Sequence, residues 1–267
     1  MSYQRRYALV RPLPRSFSFA LQQSPAPIDV DRAHVQHERY TEVLRSLVGQ
    51  LIVVPADERY PDSCFIEDTA ILVESTAVIA RIGADSRRGE SSAVYSVLHK
   101  LQQIEPSLRL HRLTEPATLD GGDVLQMGGK IFVGLSKRTN KEAVAQLEAL
   151  FPGRVVALPV AAGLHLKSVL SALDDATLLV ADQPAAHEMA APILAALPGA
   201  SAIHVPDAAA ANVVRVGDAV LIQDGFPASE TILMDAARVR SLTVHKLDMS
   251  ELIKADGALT CCSLLLA

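Results

Sequence analysis

Residues 119–140 read LDGGDVLQMGGKIFVGLSKRTN. A carboxylate stands before two glycines and another follows them. Next come a short apolar run, a Gly128-Gly129 pair that signals a hairpin turn, a second apolar run and a polar loop. Beyond the loop, Val144, Leu147 and Phe151 recur at helical spacing, and RVVALPV (154–160) reads as another strand. The stretch therefore opens a unit of strand, turn, strand, helix and strand.

The same outline recurs along the chain, each time from a polar anchor. Asp68 begins it in EDTAILVESTAVIARIGADSRRGESS, Ser168 in KSVLSALDDATLLVADQPAAHE and Asn212 in ANVVRVGDAVLIQDGFPASE. Turn signals fall mid-hairpin at Glu74-Ser75, Asp174-Asp175 and Gly217-Asp218. A fifth anchor, Ser263 in LTCCSLLLA, has one strand after it. The N-terminal strand RRYALVRPL (5–13) and a helix over 29–48, with a face of Val30, Ala33, Tyr40, Leu44 and Leu47, supply the rest of that unit. The fold class expected is α/β: a five-bladed α/β propeller of ββαβ units with pseudo-five-fold symmetry. It forms one domain over 1–267, and its last strand pairs beside its first. An open α/β sheet would also alternate strands and helices. The polar residue at every unit start favours the ring, where such residues converge on the axis.

Composition narrows the function. The chain has 267 residues, 49% of them apolar, enough for a substantial core. A net charge of -5 without a basic stripe, 4% aromatics and no Trp argue against nucleic acid as partner. No apolar run is long enough for a bilayer, and the N-terminus lacks the apolar segment of a signal peptide. The three cysteines, Cys64, Cys261 and Cys262, make a poor disulfide framework and suit a reducing cytoplasm. No C-x-x-C or H-E-x-x-H pattern offers a metal site, so neither metal nor cofactor is expected. Oligomeric state is not legible.

Register then places chemistry. Three residues before Asp123 stands Asp120, and three before Ser168 stands His165. Three before Ser263 stands Thr260, with Cys261 next. A carboxylate, an imidazole and a thiol thus hold nearly equivalent places in three units. A thiolate is a strong nucleophile, a histidine moves protons, and a carboxylate orients the histidine. Singly each has a plainer reading: Asp120 as a turn residue, His165 as a core histidine between two leucines, Cys261 as a small buried hydrophobe. Their matched positions favour catalysis. Strand alternation would send only one of Cys261 and Cys262 toward the axis.

The motifs PDSCFIED, SRRGE, LDGGDVL, GLSKRTN, GLHLKS and DGALTCCSLL follow one another from residue 61 to the C-terminus. In that order they resemble the dimethylarginine dimethylaminohydrolase (dimethylargininase) family of the guanidino-group modifying superfamily. The resemblance implies a five-bladed α/β propeller and hydrolysis of Nω-methylated arginines to citrulline and an amine. It implies Cys261 as nucleophile, through a covalent thiouronium intermediate, with His165 as acid and base and Asp120 orienting His165. It further implies that Asp62, Glu67 and Asp68 hold the guanidinium, and that Arg87 and Arg138 hold the α-carboxylate. Main-chain carbonyls near Leu21 and Ala255-Asp256 would hold the amino group. A deiminase of free arginine or another guanidine is the nearest alternative, since two methyl groups are a matter of pocket volume. A guanidino-amino-acid binding protein without catalysis is the alternative from another class.

Overall fold

The computed structural model describes residues 3–267. In chain order the elements are β1 (Tyr7–Val10), α1 (Val30–Leu47), β2 (Gln50–Val53), β3 (Ala70–Val73), β4 (Thr76–Ile79), α2 (Glu90–Ile104) and β5 (Arg109–Arg112). They continue with β6 (Val124–Met127), β7 (Lys130–Leu135), α3 (Lys141–Leu150), β8 (Val155–Pro159), β9 (Leu170–Asp174), β10 (Thr177–Ala181), α4 (Pro184–Ala196) and β11 (Ser201–Val205). The last are β12 (Val214–Val216), β13 (Ala219–Gln223), α5 (Pro227–Val239), β14 (Thr243–Leu247), α6 (Ser250–Ile253) and β15 (Leu264–Leu266).

The strands form five three-stranded sheets, ordered β15-β1-β2, β3-β4-β5, β6-β7-β8, β9-β10-β11 and β12-β13-β14. In each, the first pair is antiparallel and the last parallel, with a helix bridging the parallel pair. The unit split between the termini keeps the rule, because β15 pairs with β1 through Leu264 opposite Leu9. This is the ββαβ propeller expected, closed by its last strand.

Burial explains why the units pack as they do. The middle strands β1, β4, β10 and β13 are buried along their whole length, whereas the third strands β2 and β5 are exposed at both ends and half-buried between. Each sheet thus offers an inner surface to the axis and a rim to solvent. Helix starts follow local chemistry. Asp29 accepts from the Arg32 amide at 3.0 Å, Asn140 accepts from the Ala143 amide at 3.0 Å, and Pro184 and Pro227 open α4 and α5. Among the described residues no helix is long and apolar enough to cross a membrane.

One feature departs from the sequence reading. The anchors do not open strands directly. Each lies within, ends or follows a short 3-10 turn: Ile66–Thr69, Gly121–Asp123, Leu166–Ser168, Ala209–Ala211 and Thr260–Cys262. Cys261 and Cys262 therefore sit on a turn, not on a strand. Their side chains diverge because a three-residue helical turn rotates each residue by roughly a third of a circle.

Candidate active site

The 3-10 turns bring the anchors together near the axis, and three anchors clasp the next turn. Asp68 Oδ1 accepts from the Gly122 amide at 3.0 Å, Asp123 Oδ1 from the Leu166 amide at 2.9 Å, and Asn212 Oδ1 from the Thr260 amide at 3.0 Å. A turn placed this way points the residues before each anchor into a common space.

That space is a closed cavity of about 20 Å³, room for roughly one water. Cys261, His165, Asp62, Asp68, Arg87, Arg138, Leu21, Ala255 and Asp256 line it, joined by Phe65 and Leu164. Asp120 lies behind His165, wholly buried, with Oδ2 at 3.0 Å from His165 Nε2 and Oδ1 accepting from the Gly83 amide at 2.7 Å. The Gly121-Gly122 pair permits this closeness. A Cβ on Gly122 would lie 2.7 Å from His165 Nδ1, and one on Gly121 would collide with the Glu67 carbonyl.

Burial alone would push the His165 pKa down. Asp68, the hydrogen bond to Asp120 and the charge of Asp123 outweigh it, and the imidazolium is held up to about 9. Burial likewise opposes the Asp68 carboxylate, yet the charges of His165 and Arg87 and its hydrogen bonds keep it below its ordinary value. Burial, followed by the negative charges of Glu67 and Asp68, pushes the Cys261 thiol well up. The resting pair near neutral pH is a thiol and an imidazolium. Cys262 is fully buried, and its sulfur donates to the Ala258 carbonyl at 3.6 Å.

Several side chains are already engaged by the protein itself. Arg87 donates to Asp68 at 2.8 Å, to both oxygens of Glu90 at 3.0 and 2.9 Å, and to the Phe65 and Asp62 carbonyls at 3.2 and 3.4 Å. All three of its nitrogens are thereby engaged, Nη1 by Asp68 alone. Arg138 differs, because its Nη1 is buried without a hydrogen bond and stands 3.8 Å from Asp120. Glu67 does not line the cavity. Its carboxylate is taken by Lys167 and by the Thr260 hydroxyl at 2.9 Å, and it forms the wall toward a separate axial cavity of about 450 Å³. Asp62 and Asp256 tie down the loop that closes the site. Asp62 accepts from the Leu21 amide at 3.1 Å and Asp256 from the Gln23 amide at 2.7 Å. Arg88 is outside, paired with Asp85.

Sequence reasoning did not single out Glu90, Lys167, Phe65 or Leu164. All but Glu90 and Lys167 contact the cavity, and those two act through Arg87 and Glu67. Asp68, Asp120 and His165 offer ligand atoms within 4.8 Å of one another. Arg87, the Gly122 and Gly83 amides and the histidine itself already occupy these acceptors, and two guanidinium groups beside them disfavour a metal ion there.

Residues 57–231 match the family model described as arginine deiminase. An N(G),N(G)-dimethylarginine dimethylaminohydrolase of Streptomyces coelicolor is 34% identical, covering 88% of this chain and 86% of the relative. The structure of a dimethylarginine dimethylaminohydrolase from Pseudomonas aeruginosa, a Cys→Ser mutant complexed with citrulline, superposes with TM-score 0.84. It is 28% identical and covers 98% of this chain and 99% of the other. A dimethylarginine dimethylaminohydrolase His→Gly variant, in an adduct with S-methyl-L-thiocitrulline, gives TM-score 0.84 at 28% identity, covering 98% and 100% of the two chains.

Proposed function

The chain belongs to the dimethylarginine dimethylaminohydrolase family, and from that premise we propose that it hydrolyses Nω,Nω-dimethyl-L-arginine and Nω-monomethyl-L-arginine to L-citrulline and the corresponding amine. The observation that carries the proposal is the convergence of Cys261, His165, Asp62, Asp68 and Arg138 on one closed cavity, with Asp120 bonded to His165.

The substrate is a cation at one end and a carboxylate at the other. Asp62 and Asp68 flank the guanidinium, with Glu67 contributing charge from behind. Arg138, with its uncommitted Nη1, takes the α-carboxylate, and Arg87 joins it through the second hydrogen of Nη1, whose other bond goes to Asp68. Carbonyls at Leu21 and Ala255, beside Asp256, face the amino group. The cavity is far smaller than the substrate, so the Leu21 loop moves to admit it.

Substrate binding also ionises the nucleophile. The Cys261 thiol is held up by burial and by Glu67 and Asp68; a guanidinium placed among them cancels their charge, and the thiol proton leaves to solvent. The thiolate attacks the guanidinium carbon and gives a tetrahedral adduct. His165, already protonated, donates its proton to the departing dimethylamine as the C–N bond breaks, leaving a thiouronium. Neutral His165 then takes a proton from water and the hydroxide adds to the same carbon; collapse of this adduct, its hydroxyl proton passing to the amine or solvent, releases citrulline and the thiolate. Asp120 holds the ring and stabilises its charge. Every group this sequence needs is a side chain, and the three free cysteines fit a reducing cytoplasm.

The test is incubation of the purified protein with asymmetric dimethylarginine and measurement of citrulline. Turnover is expected in the native chain and none in Cys261→Ala. Comparing kcat/KM for dimethylarginine, monomethylarginine and arginine ranks the substrates. Undiminished activity of Cys261→Ala, or turnover of arginine alone, overturns the proposal.

A further inference from the structure

Asp182, His187 and His204 come together on the outer side of the β9-β10-β11 blade, away from every residue lining the catalytic cavity. Their ligand atoms lie within 4.8 Å of one another, and all three residues are exposed. Asp182 follows β10 and is fixed by its amide, which donates to the Val205 carbonyl at 2.8 Å. His187 lies in the first turn of α4, its amide donating to the Gln183 carbonyl at 3.1 Å. His204 sits on β11 opposite Val180. A loop, a helix and a strand of one blade therefore present a carboxylate and two imidazoles to one point.

We propose that this trio is a surface binding site for a borderline divalent transition-metal ion, of which Zn2+ is the representative. His187 Nε2 and Asp182 Oδ1 are 3.2 Å apart. Bonds of about 2.0–2.2 Å at a tetrahedral ion require neighbouring ligand atoms roughly 3.3 Å apart, so this pair already has the necessary spacing. The His204 ring stands edge-on to His187, with centroids 4.7 Å apart and planes at 88°. A rotation of this exposed side chain brings its nitrogen to the third position without disturbing the core. Two imidazoles and one carboxylate select Zn2+, Cu2+ or Ni2+ over Ca2+ and Mg2+, which prefer all-oxygen sets. The remaining positions open to solvent. A bound ion ties the start of α4 to β11 across the blade and stabilises the folded chain by linkage.

The catalytic thiol is itself a zinc ligand, so the experiment uses the tag-free full chain carrying Cys261→Ser. Calorimetric titration with ZnCl2 near neutral pH should give one bound ion in the micromolar range or tighter, with no comparable heat from CaCl2. Melting in the presence of ZnCl2 should move to higher temperature. His187→Gln and His204→Gln should each weaken binding about tenfold or more, and the double variant should lose both the heat and the thermal shift. These positions are exposed, so the variants fold and their melting without metal is unchanged within a degree or two. Absence of micromolar zinc binding in the Cys261→Ser chain, or equal binding by the double variant, overturns the proposal.

Discussion

His165 holds its proton to about 9 because Asp68, Asp120 and Asp123 together exceed the effect of burial, and two consequences follow at this residue. The folded-state value is raised above the ordinary histidine value of about 6.5. The folded chain therefore binds this proton more tightly than the unfolded chain does. The stabilisation is complete below about pH 6.5 and is lost as pH rises through about 9. Melting temperature should fall across that window, and His165→Ala should flatten the fall; an unchanged slope counts against the assignment. In the proposed reaction the same proton goes to the leaving amine, so kcat/KM should decline above about pH 9, and Asp120→Asn should move that limb to lower pH. Gly122 sets where the ring lies. An added methyl would lie 2.7 Å from Nδ1 and 2.9 Å from Cγ of His165. The ring must shift, and Gly122→Ala should lower kcat by about 10–100-fold. Citrulline inhibition, which reports binding, should change far less. Equal losses in both would mean that the glycine matters only for folding.

At the scale of elements, the units were readable because polar anchors and hairpin turns recur at matched places. Gly128-Gly129 and Gly217-Asp218 both fall at β-hairpins whose glycines have positive φ. The 3-10 turns ahead of the strands were not readable, since three residues carry no hydrophobic period. Charge pairing was equally hidden. Arg87 and Glu90 are three apart, a spacing shared by many exposed pairs, and nothing local shows that both are buried. Glu67 and Lys167 come from different blades. The anchors acquire their meaning only in the assembled ring, and Asn212 is the clearest case. It accepts from the Thr260 amide at 3.0 Å and donates to the Lys167 carbonyl at 2.9 Å and the Thr260 hydroxyl at 3.0 Å. Asn212→Ala leaves buried partners unsatisfied and should cost about 2–3 kcal/mol in urea unfolding. Cys261 follows Thr260 in the same turn, so kcat should drop beyond any loss of folded protein while KM stays close to native. Native kcat in a destabilised Asn212→Ala chain would separate the anchor from the chemistry.

At the scale of the whole molecule, the ring has one seam where sequence-distant segments complete a blade. β1 joins β15 there, with Leu9 opposite Leu264 and both buried in one apolar cluster that includes Ile66, Val94 and Leu98. Cys261 stands just before β15, so the proposed nucleophile is held by the strand that closes the circle. We propose that residues 1–267 unfold as one cooperative unit, because opening the seam frees the turn carrying Cys261 and removes a wall from each neighbouring blade. Leu9→Ala and Leu264→Ala should each cost about 2–5 kcal/mol. The double variant should cost less than their sum, since the two side chains touch the same cluster. In urea, citrulline release and far-UV circular dichroism should share a midpoint in the native chain and in each variant. Activity lost well before secondary structure would instead mean that the seam opens first. The ring would then be a chain of separately melting blades, in which Cys261 leaves His165 while most strands remain paired.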